Sequence, residues 1–353
     1  MTPRLSSWVQ PLTSRDVARI AGVSQATVSR VLTNSPSVAP ATADRVREAL
    51  ERVGYQPNAA ARAMKSRRSG TVGVVTENLS NPFYPELLRA LGGELQRYDL
   101  RMILWDAETG PGLDAAVEAI EQHLVDGLLF TAATEHSQPF QRAVSKGAPM
   151  VLVNRKIDDC PCDQVVSQNA EAAATIARYF FSHGRRTPRM IKGPDDAATA
   201  RERLRGFVAG ASSCGIAIAE ESFAASDFSH QGGMQAVRSL LSHSPHTDAI
   251  FCANDAIAFG AIDALRLLGR KVPADVWVVG YDDVEMAAWP IFGLTTARQS
   301  LGEMASIAIR MLWDRIDDTA KHKGARQELL RSDLIIRQST DNAPLTEVSP
   351  CLQ

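Results

Sequence analysis

Gln25, Ala26, Ser29 and Arg30 combine forked or hydroxyl-bearing side chains with one methyl, at spacings that put all four on one side of a helix. Such a set recognises rather than turns over: a guanidinium or carboxamide can pair with the edge of a base, and a methyl can lie against thymine. The other side of the same stretch holds Val28, Val31 and Leu32, which can be buried while the polar face is read. No reaction centre can be assembled elsewhere in the 353 residues, which lack Gly-x-Gly-x-x-Gly, a phosphate loop, Gly-x-Ser-x-Gly and His-Glu-x-x-His. His123, His183, His230 and His243 are scattered and read as exposed. Cys160, Cys162, Cys214, Cys252 and Cys351 are odd in number and unpatterned, with no Cys-x-x-Cys and no histidine at ligand distance, which fits reduced thiols. No catalytic residue, metal or cofactor is therefore expected.

A reading face needs a scaffold. Thr13 can cap a first helix with Asp16 reaching back, Val17, Ile20 and Ala21 make its apolar face, and Gly22 supplies a turn. Ser24 caps the second helix. A third begins at Pro40, turns Val46, Leu50 and Val53 inward and stops at Gly54. The pattern is a helix-turn-helix closed by a third helix. Pro57 to Lys65 is a short alanine-rich turn or two, too poor in burial to be stable alone, and Ser66 to Gly70 reads as a linker. Residues 1–70 hold eleven Lys and Arg against Asp16, Asp44, Glu48 and Glu51, a net +7, so a total of −2 leaves −9 for the remainder. A basic head of this fold points to nucleic acid.

From Thr71 short apolar runs alternate with helical segments. Thr71–Thr76, Arg101–Trp105, Gly127–Thr131 and Met150–Val153 read as strands buried on both faces, and Arg189–Ile191, Ala249–Cys252 and Val276–Gly280 as a second set with helices around 172–181 and 201–214. Two α/β lobes are implied, with a ligand cleft beyond the carboxyl ends of their strands. Neither a signal peptide in residues 1–12 nor a membrane span is expected, and the location implied is the cytoplasm.

The runs Asp16-Val17-Ala18, Ala21-Gly22-Val23-Ser24, Thr27-Val28-Ser29-Arg30-Val31 and Gly54-Tyr55-Gln56-Pro57-Asn58 resemble the headpiece of LacI/GalR-family transcriptional repressors. Asn81-Pro82-Phe83-Tyr84, Asn154-Arg155, Arg203-Leu204-Arg205-Gly206-Phe207, Asn254-Asp255 and Gly280-Tyr281-Asp282-Asp283 extend the resemblance, more loosely, to about Gln338. The fold class implied is α/β: an all-α helix-turn-helix headpiece plus a two-lobed, periplasmic-binding-protein-like, doubly wound effector domain crossed three times by the chain, with the helix after Ser300 returned to the first lobe by the last crossing. The domains would be an extension 1–12, a headpiece 13–56, a hinge helix and linker 57–70, an effector and dimerisation domain 71–338 and a tail 339–353. With no apolar heptad in the tail, the homodimer is the expected assembly.

The resemblance implies roles. Ser24, Gln25, Ala26, Thr27, Ser29 and Arg30 would contact operator DNA in the major groove, and Asn58, Arg62 and Met64 would serve the minor groove, with Met64 in place of a wedging leucine. Phe83, Tyr84, Asn154, Arg155, Arg203, Phe228, Asn254 and Asp282 would hold a small effector, a sugar or sugar derivative, with Trp289 as a further wall. Each has a plainer alternative: Arg203 in a surface ion pair, Asp282 or Asn254 as a helix cap, Phe83 and Phe228 as core, Met64 as exposed linker. Gln168, Arg185 and Phe292-Gly293 depart from the family pattern and imply an atypical effector; Ala39 stands where a capping serine is usual. Competing readings are a transporter's solute-binding protein, a nucleobase-responsive repressor, and an enzyme on a doubly wound sheet.

Overall fold

The computed structural model describes residues 12–32, 35–55, 68–108, 111–131, 137–317 and 324–340, and the chain divides into two compact units, Met1–Ser69 and Gly70–Gln353. In the first, α1 (Ser14–Ala21) opens on a capping box: the Asp16 N–H donates to the Thr13 hydroxyl, while the Asp16 carboxylate accepts from the Thr13 N–H at 3.0 Å and hydroxyl at 2.7 Å. Gly22 ends it in the left-handed region, at φ 65°. Ser24 then accepts the Thr27 N–H at 3.1 Å and starts α2 (Gln25–Leu32). The third helix, α3 (Pro40–Val53), comes after Ala39, which gives no side-chain cap, and stops at Gly54 with φ 60°. Val17, Val28 and Val46, all fully buried, join Ala18, Val31, Ala43 and Ala49 in one core. Ile20 does not turn inward: it is 38% exposed and Ala18 takes the inner position. An eight-residue helix wedged between two others buries a single ridge, and apolar spacing alone does not fix its rotation.

The second unit begins with β1 (Thr71–Thr76), α4 (Phe83–Arg97), β2 (Arg101–Asp106), α5 (Gly112–Glu121), β3 (Gly127–Phe130), α6 (Gln138–Ser145), β4 (Met150–Val153) and β5 (Asp163–Ser167). It continues through α7 (Asn169–Ser182), β6 (Pro188–Lys192), α8 (Ala198–Ser213), β7 (Phe223–Ala225), α9 (His230–His243), β8 (Ala249–Cys252), α10 (Asp255–Leu267), β9 (Trp277–Asp282) and β10 (Thr295–Arg298). Last come α11 (Leu301–Ile316), β11 (Gln327–Leu330) and β12 (Asp333–Ile335). Two six-stranded sheets result, ordered β11-β5-β4-β3-β1-β2 and β12-β10-β9-β8-β6-β7, parallel except for β12. Val72 and Val74 face one apolar cluster and Val75 another, as expected where a parallel sheet is covered on both sides.

The chain passes between sheets at Gln168, at Gln299–Ser300 and at Arg331–Ser332. Helix α11 packs on α4 and against β3, β4 and β5, in the first lobe as expected, but the crossing that delivers it is the second; the third joins β11 to β12, two short strands invisible to a search for long apolar runs. A Cβ on Gly127 would lie 2.8 Å from Leu312, so this glycine admits the helix to the sheet. Strand β2 also differs from expectation. It is the edge of the first sheet, and Met102, Ile103 and Leu104 are 36%, 41% and 40% exposed. The packed body runs on through Ser339 and Thr340, both buried, two residues past the expected boundary. Among the described residues no helix is long and apolar enough to cross a membrane.

Candidate functional site

Two sites emerge, one in each unit. On α2, Val28 and Val31 are buried whereas Ser24, Gln25, Ala26 and Arg30 are exposed and Thr27 and Ser29 half-buried, so the helix keeps one face outside its core. The Gln25 Nε2 donates to the Ser14 hydroxyl at 2.9 Å, fastening the start of α2 to α1, and the Ser24 and Thr27 hydroxyls lie 2.9 Å apart. Asn58, Arg62 and Met64 fall outside the described residues.

In the second unit all eight residues implied as ligand contacts line one cleft, with Asn81 and Thr199. They come from the loops after β1, β4, β7, β8 and β9 and from α8, so the carboxyl ends of both sheets converge on it. An inner chamber of ≈ 20 Å³ adjoins an outer one of ≈ 270 Å³ that shares Asn81, Tyr84, Arg155 and Phe228 and reaches Glu77 and Asp196. Asn154, Phe228 and Asp282 hold positive φ values of 56°, 63° and 130°, a conformation costly for residues other than glycine and concentrated at binding sites. Phe228 fits because Gly193 faces its ring: a Cβ there would come within 2.3 Å of it.

Arg203, 3% exposed, spends two donors on the protein: Nε to Asn169 Oδ1 at 2.9 Å and Nη1 to the Ala253 carbonyl at 2.6 Å. Its guanidinium lies over the Tyr281 ring, 3.6 Å from the centroid, and 3.8 Å from the Asp282 carboxylate. The plain surface-pair alternative is thereby excluded. Asp282, 4% exposed, accepts from Gln299 Nε2 at 2.7 Å, and Gln299 in turn accepts from the Ser167 hydroxyl at 2.7 Å, tying the cleft to two crossings. Burial pushes the Asp282 carboxyl up to about 6, against the opposing pull of Arg203 and the Gln299 hydrogen bond. Across the cleft Arg155 pairs with Glu77, donates to the Thr131 carbonyl at 2.8 Å and to the Tyr84 hydroxyl at 3.2 Å. The buried Asn154 Oδ1 has no hydrogen-bond partner among the described residues, and polar atoms so placed normally find one. Asn254 caps α10, accepting the Ile257 N–H at 2.9 Å, while its Nδ2 donates to the Phe228 carbonyl at 3.2 Å; cap and cleft roles coincide. Phe83 likewise is both core and lining.

The two lobes also touch at the rim, where the Glu285 N–H donates to Glu86 Oε1 at 2.8 Å. Trp289 is half-exposed and does not line the cleft, because the short turn at 285–288 carries it past the rim. The departures from the family pattern lie elsewhere. Gln168 donates to the Leu329 carbonyl, Arg185 covers the Trp277 ring at 4.2 Å, and Phe292 packs 4.3 Å from Phe259. They are packing features of the body, so they give no reason to expect an unusual ligand. Sequence reasoning missed Thr199, Gln299 and the supporting Asn169. Gln299 carried a usable signal, a polar residue directly after a buried strand, as Asp282 does; Thr199 carried none.

Comparison with known proteins agrees with both sites. Residues 13–58 match the profile of bacterial regulatory proteins, lacI family, and residues 69–318 match that of periplasmic binding proteins and sugar binding domain of LacI family. The chain is 33% identical over 307 residues to the ribose operon repressor of Escherichia coli K12, covering 86% of this chain and 93% of that one. It is 30% identical over 336 residues to the HTH-type transcriptional repressor CytR of the same strain, covering 94% and 97%. Among solved structures, the lac repressor dimer bound to operator and the anti-inducer ONPF superposes with a TM-score of 0.82 at 26% identity, covering 94% of this chain and 99% of that one. The complex of the transcriptional regulator CelR with cellobiose gives 0.72 at 30% identity, covering 93% and 99%.

Proposed function

Since the chain belongs to the LacI family of bacterial regulatory proteins, we propose that it is a cytoplasmic, dimeric repressor whose hold on operator DNA is set by a monosaccharide or sugar derivative in the interlobe cleft. The observation that carries the ligand reading is the convergence, from six segments, of two arginines, a buried carboxylate, two carboxamides and aromatic rings on one small cleft. Forked donors and a carboxylate suit adjacent hydroxyls, and a ring face suits the apolar side of a pyranose or furanose. The chamber sizes favour one sugar ring over two, so ribose and other pentoses and hexoses are tested ahead of cellobiose. Dimerisation is supported by the apolar edge of β2, a contiguous exposed strip of the kind that marks an interface.

Thermal-shift and calorimetric titration with these sugars, and with nucleobases and nucleosides, test the reading. A ligand present at 100 times its dissociation constant adds about 2.7 kcal/mol to stability. A response to nucleobases alone would favour the alternative ligand class, stacked on Phe228; no response to any of the set would reject the proposal.

On the DNA side, Gln25, Ala26 and Arg30 are assigned to base edges, and Ser24, Thr27 and Ser29 to phosphates and the flanks of the groove. Asn58, Arg62 and Met64 keep the minor-groove role that the resemblance implies, Met64 as a wedge. Arg30→Ala is expected to cost about 1–3 kcal/mol of operator affinity and to relax preference at one base pair. Binding-site selection with both proteins reads this directly, and identical base preferences would remove Arg30 from the reading face.

Asp282 gives a pH prediction. Ligand hydroxyls donate to the carboxylate, so binding requires the ionised form. Affinity is expected to be flat above pH 7 and to fall about tenfold per unit once the pH is below about 6. The free protein moves oppositely: a carboxyl raised on folding takes up its proton more readily folded than unfolded, so stability rises as the pH falls from about 6 toward the ordinary value of 3.8. Calorimetry from pH 5 to 8 checks the first part, and the Asp282→Asn variant should lose the dependence. A dependence preserved in that variant would assign the titration to another group.

A further inference from the structure

The loop from Arg155 to β5 contains Cys160-Pro161-Cys162, for which the regulatory reading has no use. The two sulfurs are 2.8 Å apart, one thiol donating to the other. Proline fixes its own φ and biases the residue before it toward extended backbone, which aims side chains at i and i+2 to the same side. The loop is also pinned. Gln164 accepts the Ile157 N–H at 2.8 Å and donates to the Ile157 carbonyl at 3.0 Å, closing a ring around both cysteines. The next residue, Asp163, is fixed by Arg315 and Arg326. Cys162 lines a cavity of ≈ 480 Å³ bounded also by Pro149, Met150, Pro161, Arg315 and Ile316. The other described cysteines lack this setting: Cys252 is sealed in the core of the second lobe and Cys214 stands exposed on the surface.

We propose that Cys160 and Cys162 are a redox-active dithiol that closes to a reversible disulfide when a hydroperoxide enters the cavity beside Cys162. A covalent S–S bond of about 2.05 Å requires the sulfurs to approach by less than about 1 Å, within reach of side-chain rotation. Cys160 is the attacking sulfur, because the hydrogen bond from Cys162 outweighs burial and brings its thiol down to about 7, whereas the same contact and burial push the Cys162 thiol up. The Cys160 thiolate attacks one peroxide oxygen, the O–O bond breaks, hydroxide leaves and the sulfur becomes a sulfenic acid. The Cys162 sulfur then attacks the sulfenic sulfur, its proton passes to the departing hydroxyl, and water leaves as the S–S bond forms. Two electrons pass from the sulfurs to the peroxide.

The test uses the full chain carrying C214S and C351S, treated with hydrogen peroxide and analysed by peptide mass mapping. A disulfide joining Cys160 to Cys162 and opened by dithiothreitol is the expected product. C162S should stop at a Cys160 sulfenic acid captured by dimedone, and C160S should react at least about tenfold more slowly. The proposal is overturned if the parent keeps both thiols under peroxide that oxidises a small thiol in the same tube, or if C160S reacts as fast as the parent. The measurement on the parent stands even if a serine variant does not fold.

Discussion

Arg203→Ala should lower sugar affinity at least about 100-fold while operator affinity without sugar stays at the wild-type level, giving a repressor that no longer releases. The size of the loss comes from the side chain's surroundings. Two donors and the guanidinium plane are consumed by Asn169, the Ala253 carbonyl and Tyr281, so the group is already fixed before ligand arrives and little ordering entropy remains to be lost. Hydrogen bonds to a charged group contribute about 1.5–3 kcal/mol each, and two of them exceed the roughly 2.8 kcal/mol that corresponds to a factor of 100. The free protein also suffers. Asn169 Oδ1 and the Ala253 carbonyl lose a buried donor, at about 1–3 kcal/mol each, and Asp282 loses its nearest positive charge and takes up a proton instead. Arg203→Lys separates charge from shape, since an ammonium keeps the charge near Asp282 but cannot make the fork or cover the ring. Affinity in the lysine variant should recover only in part. Calorimetry showing full sugar affinity in Arg203→Ala would take Arg203 out of the site.

The features legible in the sequence are local ones. Thr13, Asp16, Gly22, Ser24, Pro40 and Gly54 each act within a few residues of their own position, and each does in the folded headpiece what its type suggests. The cleft residues were legible for a related reason: most come directly after a strand, and a doubly wound sheet gathers the loops at its carboxyl edge to one end. The failures share the opposite property. Ile20 and the β2 run Met102-Ile103-Leu104 are apolar yet exposed, because burial depends on what packs against an element, and an edge strand has no neighbour on one side. Asn169 and Gln299 support Arg203 and Asp282 from crossings whose spatial meeting no spacing rule records, being 34 and 17 residues from their partners. Trp289 was assigned to the cleft by its proximity in sequence to Asp282, and a single short turn was enough to carry it away.

Asp163 was equally unannounced, a lone acid at the start of an apolar strand, and its removal should have the largest effect on stability. Its carboxylate is fully buried and accepts from Arg315 at 2.6 and 3.0 Å, and from the Arg326 side chain at 2.6 and 3.1 Å and backbone N–H at 2.8 Å. Arg315 belongs to α11 and Arg326 leads into β11, the two elements that the second crossing returns to the first lobe, so one carboxylate fastens both to β5. Breaking a buried pair costs about 3–5 kcal/mol; because both guanidiniums are partly exposed and can rehydrate, Asp163→Asn should lie near the lower end, about 3 kcal/mol. Burial alone would raise this carboxyl, but the hydrogen bonds from Arg315 and Arg326 outweigh it and hold the group below the usual carboxylate range. A depressed carboxyl contributes stability that is complete above the unfolded value of about 3.9 and is lost as the pH falls through the lower, folded one. The gap between wild type and Asp163→Asn in urea melts should therefore be constant from about pH 7 to about 5 and narrow below about 4. A gap unchanged down to about pH 3 would mean that the variant's loss comes from packing rather than charge, and the carboxylate would no longer be the fastening between β5, α11 and β11.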